Sequence, residues 1–141
     1  MTETDKAYIA GFIDGEGSIG LRKCHTNRGY FDTIIRLRIT NTNRDVLEWI
    51  KAKTGIGSVR QWARCSDKHK ARFEWYCAGK KALIVLREVH PYLLIKKINA
   101  DICFQYEKTM GGSGNTMSEE TRSLRQSLRA SMDSLQGHQR N

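Results

Sequence analysis

Six arginines define the chemistry this sequence is equipped for. Arg22, Arg36, Arg38, Arg60, Arg64 and Arg72 fall within residues 21–72, where thirteen bases stand against four acids. The net charge of that stretch, +9, equals that of the whole 141-residue chain. Each guanidinium is a planar fork that pairs with guanine O6 and N7 or with phosphate oxygens. The bases alternate with apolar residues, unlike the like-charge runs of a disordered basic tail. Interspersed on the same predicted faces are Gly20, Cys24, Thr26, Tyr30, Asp32, Ile34, Thr40, Ser58, Trp62, Glu74 and Tyr76. Mixed chemistry of this kind suits the reading of bases, whereas phosphate binding alone would tolerate an all-basic face. The first twenty residues run the other way, with four acids and one base. Two of those acids, Asp14 and Glu16, fall near a predicted helix end.

The elements that must carry these residues follow from periodicity. Asp5 to about Gly15 reads as a helix capped by Thr2 or Thr4. Its small residues Ala7, Gly11 and Gly15 recur every four positions and share a face. Ser18–Thr26 and Tyr30–Asn41 alternate with period two and predict an antiparallel hairpin, with Ile19, Leu21, Ile35, Leu37 and Ile39 inward. Asn43 caps a second helix that Gly55 ends. Ser58–Arg64 and Ala71–Cys77 predict a second hairpin, with Val59, Phe73 and Trp75 inward. A third helix spans Gly79–His90 and stops before Pro91. A fourth, from about Ile95 to Thr109, carries Ile98, Ile102 and Tyr106 on one stripe. Glycine-rich 111–117 reads as a linker. A last helix over 118–136 follows a Thr116–Glu119 capping box and carries Leu124, Leu128, Met132 and Leu135. Beside that stripe lie Arg122, Arg125 and Arg129, candidates for phosphate contact. The expected organisation is a core over 1–110, the linker, the last helix packed on the core and a tail over 137–141. The two helix–hairpin units form a faint repeat of about 40 residues.

Composition excludes several classes. No apolar run approaches the ~20 residues that span a bilayer, so no membrane partner is expected. The N-terminus lacks the basic-then-apolar order of a secretory signal. Cys24, Cys65, Cys77 and Cys103 offer no CxxC pair and no histidine at finger spacing, which argues against zinc and for free thiols.

The run Ile9-Ala-Gly-Phe-Ile-Asp-Gly-Glu-Gly17 resembles the signature of the LAGLIDADG homing endonucleases. Leu37–Asn41, Arg44–Ile50 with Gly55–Arg60, and Pro91–Lys97 resemble later segments of that family, in order. The resemblance covers roughly residues 5–110. It implies an α+β fold, an αββαββα core whose saddle-shaped antiparallel sheet lies in the DNA major groove. It implies a Mg2+-dependent endonuclease that cuts both strands of a long pseudo-palindromic target across the minor groove, leaving 3′ overhangs, and so promotes mobility of a host intron. Glu16 and the Gly15 carbonyl would be metal ligands, Asn41 would orient water, and Lys96 would stabilise the transition state. Arg44 and Lys97 are further candidates for that basic pocket, and Asp14 is read as structural. With one motif copy per chain, the partner implied is a second copy joined through Ala7, Gly11 and Gly15. Intron RNA, bound by a maturase, and a non-catalytic DNA-binding regulator are the alternatives. An intracellular site, in a prokaryote or an organelle, is expected.

Overall fold

A computed structural model describes residues 1–25, 31–63, 70–110 and 118–139; the side chains at 24, 25, 31, 32, 62 and 63 are outside that description. Thr26, Tyr30, Arg64, Thr116, the linker over 111–117 and the last two residues of the tail therefore lie outside the described residues, as do the side chains of Cys24, Asp32 and Trp62.

The chain runs α1 (Glu3–Glu16), β1 (Gly17–His25), β2 (Phe31–Asn41), α2 (Arg44–Thr54), β3 (Ser58–Ala63), β4 (Arg72–Ala78), α3 (Gly79–Val89), a 3-10 turn (His90–Tyr92), α4 (Lys97–Glu107) and α5 (Glu119–Gln139). The sheet order is β1-β2-β4-β3, antiparallel throughout. The order is symmetric about the central pair, so the two α-β-β units of the faint repeat meet through their second strands.

Helix boundaries follow from their caps. The Thr2 hydroxyl accepts from the Asp5 amide, and the Asp5 carboxylate accepts from the Thr2 amide, each at 3.1 Å. This reciprocal box starts α1 two residues ahead of the expected Asp5. Asn43 caps α2 by accepting from the Val46 amide at 3.1 Å. α5 starts from Ser118, whose hydroxyl accepts from the Thr121 amide, and runs three residues past the expected end at 136. α4 starts at Lys97 rather than Ile95, and Ile98 stands half exposed while Ile102 and Tyr106 are buried.

One face of the sheet holds the core. Ile19, Leu21, Ile35, Leu37, Ile39, Trp75 and Cys77 are buried there, against Ile9 and Ile13 of α1, Leu47 and Ile50 of α2, and Leu83 and Leu86 of α3. Burying each large aliphatic side chain contributes roughly 1.5–3 kcal/mol. Trp75 is fully buried, with its indole N–H donating to the Ile56 carbonyl at 2.9 Å. α5 adds Leu128 and Met132 to the same cluster. Among the described residues no helix is long and apolar enough to cross a membrane.

Candidate active site

α1 passes directly into β1 because residue 17 is glycine. A Cβ there would stand 2.8 Å from the Cα and the carbonyl oxygen of Ile13. The tight turn leaves Glu16 exposed at the helix end. Among the described residues its carboxylate has no hydrogen-bond or ion-pair partner.

The neighbouring acid does something different. Asp14 accepts from the Leu94 amide at 2.8 Å and the Lys96 amide at 2.9 Å, one on each carboxylate oxygen. Lys96 Nζ donates in return to the Asp14 backbone carbonyl at 2.7 Å. The last turn of α1 is thus tied to the segment that enters α4. Partial burial pushes the Lys96 ammonium below the ordinary lysine range, and the Asp14 charge pulls it part of the way back. The ammonium has three donors, so two remain for a ligand.

Glu16 and Lys96 open onto one cleft of about 300 Å3, lined also by Gly15, Ser18, Arg22, Arg38, Gln136 and Gln139. Arg22 and Arg38 join it to the outer face of the sheet. There, the arginines are held by their neighbours. Glu74 is fully buried, with Oε1 accepting from Arg60 at 3.1 Å and Oε2 3.7 Å from Arg38. The Tyr76 ring lies between the Arg36 and Arg60 guanidiniums, at 5.7 and 5.6 Å. Among the described residues Arg36 Nε is buried without a hydrogen-bond partner. The register places Arg38 opposite both Ser18 and Tyr76, and Arg60 opposite Glu74. Ser58, Arg60 and Arg72 are exposed, while Arg22, Ile34, Thr40 and Tyr76 are half-buried. The result is a cationic surface with preset side-chain positions.

Several placements differ from the sequence reading. Glu74 has the expected outward parity but is not a free surface group, because two arginines close over it. Gly20 is buried rather than open, since Gln136 of α5 lies against it. Asn41 shares the parity of buried Ile35, Leu37 and Ile39, not of Arg38 and Thr40. Its Oδ1 accepts from the Asn43 amide at 2.8 Å, at the entry to α2, and the cleft lining does not include it. Arg44 pairs with Glu48 and lies over Phe73, and Lys97 is exposed; neither lines the cleft. Arg125 donates to the Thr109 hydroxyl and carbonyl and sits 5.2 Å over Tyr106, so it anchors α5 rather than facing out. Arg129 donates to the Thr33 hydroxyl at 3.3 Å. Arg122 is exposed.

Two cleft residues escaped the sequence reading. Gln136 and Gln139 arrive on the last turn of α5. Gln139 forms a reciprocal amide pair with the fully buried Asn99, at 2.8 and 3.1 Å. The available signal was positional: Gln139 stands four residues beyond Leu135, on the continuation of the apolar stripe, where a polar residue needs a partner.

The four-stranded antiparallel sheet and its helices define the class of the protein, an α+β fold in which an acid and a lysine line one cleft. The chain belongs to the LAGLIDADG endonuclease family, whose profile matches residues 9–105. Its fold is similar to that of the archaeal intron-encoded homing endonuclease I-Vdi141I, solved with DNA, at a TM-score of 0.75 and 19% identity over 94% of this chain and 84% of that one. It is similar to the homing endonuclease I-CvuI, solved with its target, at 0.66 and 20% over 89% and 95%. It is similar to I-SmaMI, bound to cleaved DNA, at 0.72 and 21% over 94% of this chain but 47% of that one. At these identities the likeness is one of fold. Among curated proteins none matches.

Proposed function

We propose that two copies of this chain form a homodimeric, Mg2+-dependent endonuclease that cuts both strands of a pseudo-palindromic DNA target across the minor groove, leaving 3′ overhangs. The observation that carries this reading is the meeting of Glu16 and Lys96, from distant parts of the sequence, in one cleft continuous with the arginine face. A β-face of this width and charge suits the major groove. The face of Ala7, Gly11 and Gly15 is exposed, and a Cβ on either glycine would meet nothing within 4 Å. The fold of one chain does not require glycine there. A second helix approaching along that face would.

The residues present fit magnesium. Among the described residues Glu16 is a carboxylate without a partner, and Gly15, whose carbonyl would be the second ligand, lines the cleft beside it. Among the described residues no cluster of three histidines, cysteines or acids could cage a metal. Magnesium needs no such cage, since it keeps several waters and binds through one or two carboxylates plus substrate phosphate. When bound, the ion would neutralise phosphate charge and lower the pKa of a coordinated water. The chain's own part is positional. Lys96 brings an ammonium against the charge that develops on the phosphate. Asp14 holds the backbone of Lys96, and Arg22 and Arg38 grip the DNA backbone beside it. The biological consequence proposed is mobility of a host intron, within a prokaryotic cell or an organelle.

Selection of cleaved sites from a randomised duplex pool with magnesium tests this reading. The expected result is two-fold related half-sites with 3′ extensions. An uncut pool, or cut sites without two-fold symmetry, would overturn it.

A further inference from the structure

Gln136 shares the cleft with Glu16, Lys96, Arg22 and Arg38. Its Nε2 donates to the Ile19 carbonyl at 3.1 Å, on the free edge of β1. A carbonyl can only accept, so this bond fixes which end of the amide faces the strand. Oε1 is then the free end, and among the described residues it has no partner. Gly20 makes the arrangement possible, since a Cβ there would lie 2.6 Å from Nε2. Gln139, one turn on, is fully committed to Asn99. Beneath both, buried Leu128 and Met132 seat the helix. Gln136 is therefore an amide acceptor held in place beside an acid and a lysine.

The cleft has need of such a group. Arg22, Arg38 and Lys96 donate only. Among the described residues Glu16 is the one carboxylate of the lining, the proposed cation takes it, and the remaining side-chain acceptors are the Ser18 hydroxyl, which no hydrogen bond fixes, and the two glutamine amides. A water that attacks phosphorus in line must have its protons held away from the phosphate, which requires an acceptor at a fixed position. We propose that Gln136 is a catalytic residue of the cleavage site, accepting a hydrogen bond from the attacking water through Oε1 and orienting it. The amide takes no proton, and no bond in Gln136 forms or breaks. The inference rests on the nuclease reading above, and it makes α5 part of the cleavage site.

The test is single-turnover cleavage of a selected duplex, beside equilibrium binding of the same duplex and thermal unfolding. Gln136→Met keeps length and packing and removes the amide. Its cleavage is expected to fall on the order of 100-fold. Duplex Kd should stay within about threefold and Tm within about 2 °C, which a merely structural role would not give. Gly20→Ala displaces the same amide without altering it. It should slow cleavage comparably, and the double variant should be no slower than either single one. Wild-type cleavage rates in Gln136→Met would overturn the inference, as would a fall in rate matched by an equal loss of binding. If Gln136→Met fails to fold, the Gly20→Ala rate decides alone. A wild type that cuts no duplex overturns the nuclease reading and this inference with it, whereas a cutting wild type with an equally fast variant overturns the inference only.

Discussion

α1 and α5 begin at opposite ends of the chain and finish at one cleft, but they are held there in different ways. α1 buries Ile9, Ala10 and Ile13 beneath the sheet and keeps a small-residue face exposed. It ends on Glu16, a carboxylate without a partner among the described residues, and on Asp14, which ties down the Lys96 segment. α5 is mostly polar and is seated by two buried apolar residues, two anchored arginines and the Gln139–Asn99 amide pair. Among the described residues α1 thus leaves its terminal acid unengaged, while α5, whose three arginines are balanced by three acids, has two of those arginines engaged with the protein itself. Charge along a sequence therefore does not map directly onto availability for a ligand. What decides is whether a neighbouring carbonyl, hydroxyl or ring already holds the charged group.

The largest effect should come from the end of α1. Glu16→Gln preserves shape and removes the charge that would hold the metal. Cleavage should fall by on the order of 10³-fold or more, while duplex binding and Tm stay near wild type. Magnesium-dependent cutting at an undiminished rate would erase the difference drawn between the two helices. The next effect should come from the seat of α5. Met132→Ala leaves a cavity under that helix and should cost about 3 kcal/mol in urea unfolding at fixed protein concentration. If α5 opens on its own, the loss will be smaller and the m-value will drop, because less surface is then exposed in the main transition.

The same contrast explains what could be read in advance. α1 and both hairpins were legible because their signals are local. A nine-residue run fixes Glu16 in place, and period-two alternation puts Arg36 and Arg38 opposite Ile35 and Leu37. Asn41 follows the same alternation, and its inward parity could have been counted from Ile39. The burial of Glu74 was not legible, because it depends on Arg38 and Arg60 reaching across two different strand pairs. The part of α5 in the cleft was hidden for a like reason. Gln136 acquires its place only through the edge of a strand more than a hundred residues earlier in the chain. No spacing rule within α5 encodes that edge.

Asp14 is where α1 performs both tasks, since it ends the acidic helix and restrains Lys96. Asp14→Ala frees two backbone amides and should cost about 2 kcal/mol of stability. Cleavage should slow about tenfold as Lys96 loses its fixed position. Unchanged urea midpoints would mean that solvent satisfies those amides equally well, and that the lysine segment is held by packing instead.

The smallest expected effect per residue lies in the core that both helices cover. Cys77 on β4 and Cys103 on α4 are buried. Burial pushes both thiols up from about 9.0 to about 12, with Lys81 slightly opposing it at Cys77. The folded chain then keeps protons that the unfolded chain releases. Their stabilising contribution is complete below pH 9 and declines as pH rises toward 12. At pH 10 the decline should reach about 1.4 kcal/mol per thiol. Other groups titrate in the same range, so the measurement is a difference between chains. The wild type should lose more stability between pH 8 and pH 10 than a Cys77→Ala, Cys103→Ala double variant. Equal losses would mean that water reaches these thiols in the folded chain, and that the core beneath the two helices opens more readily than its packing implies.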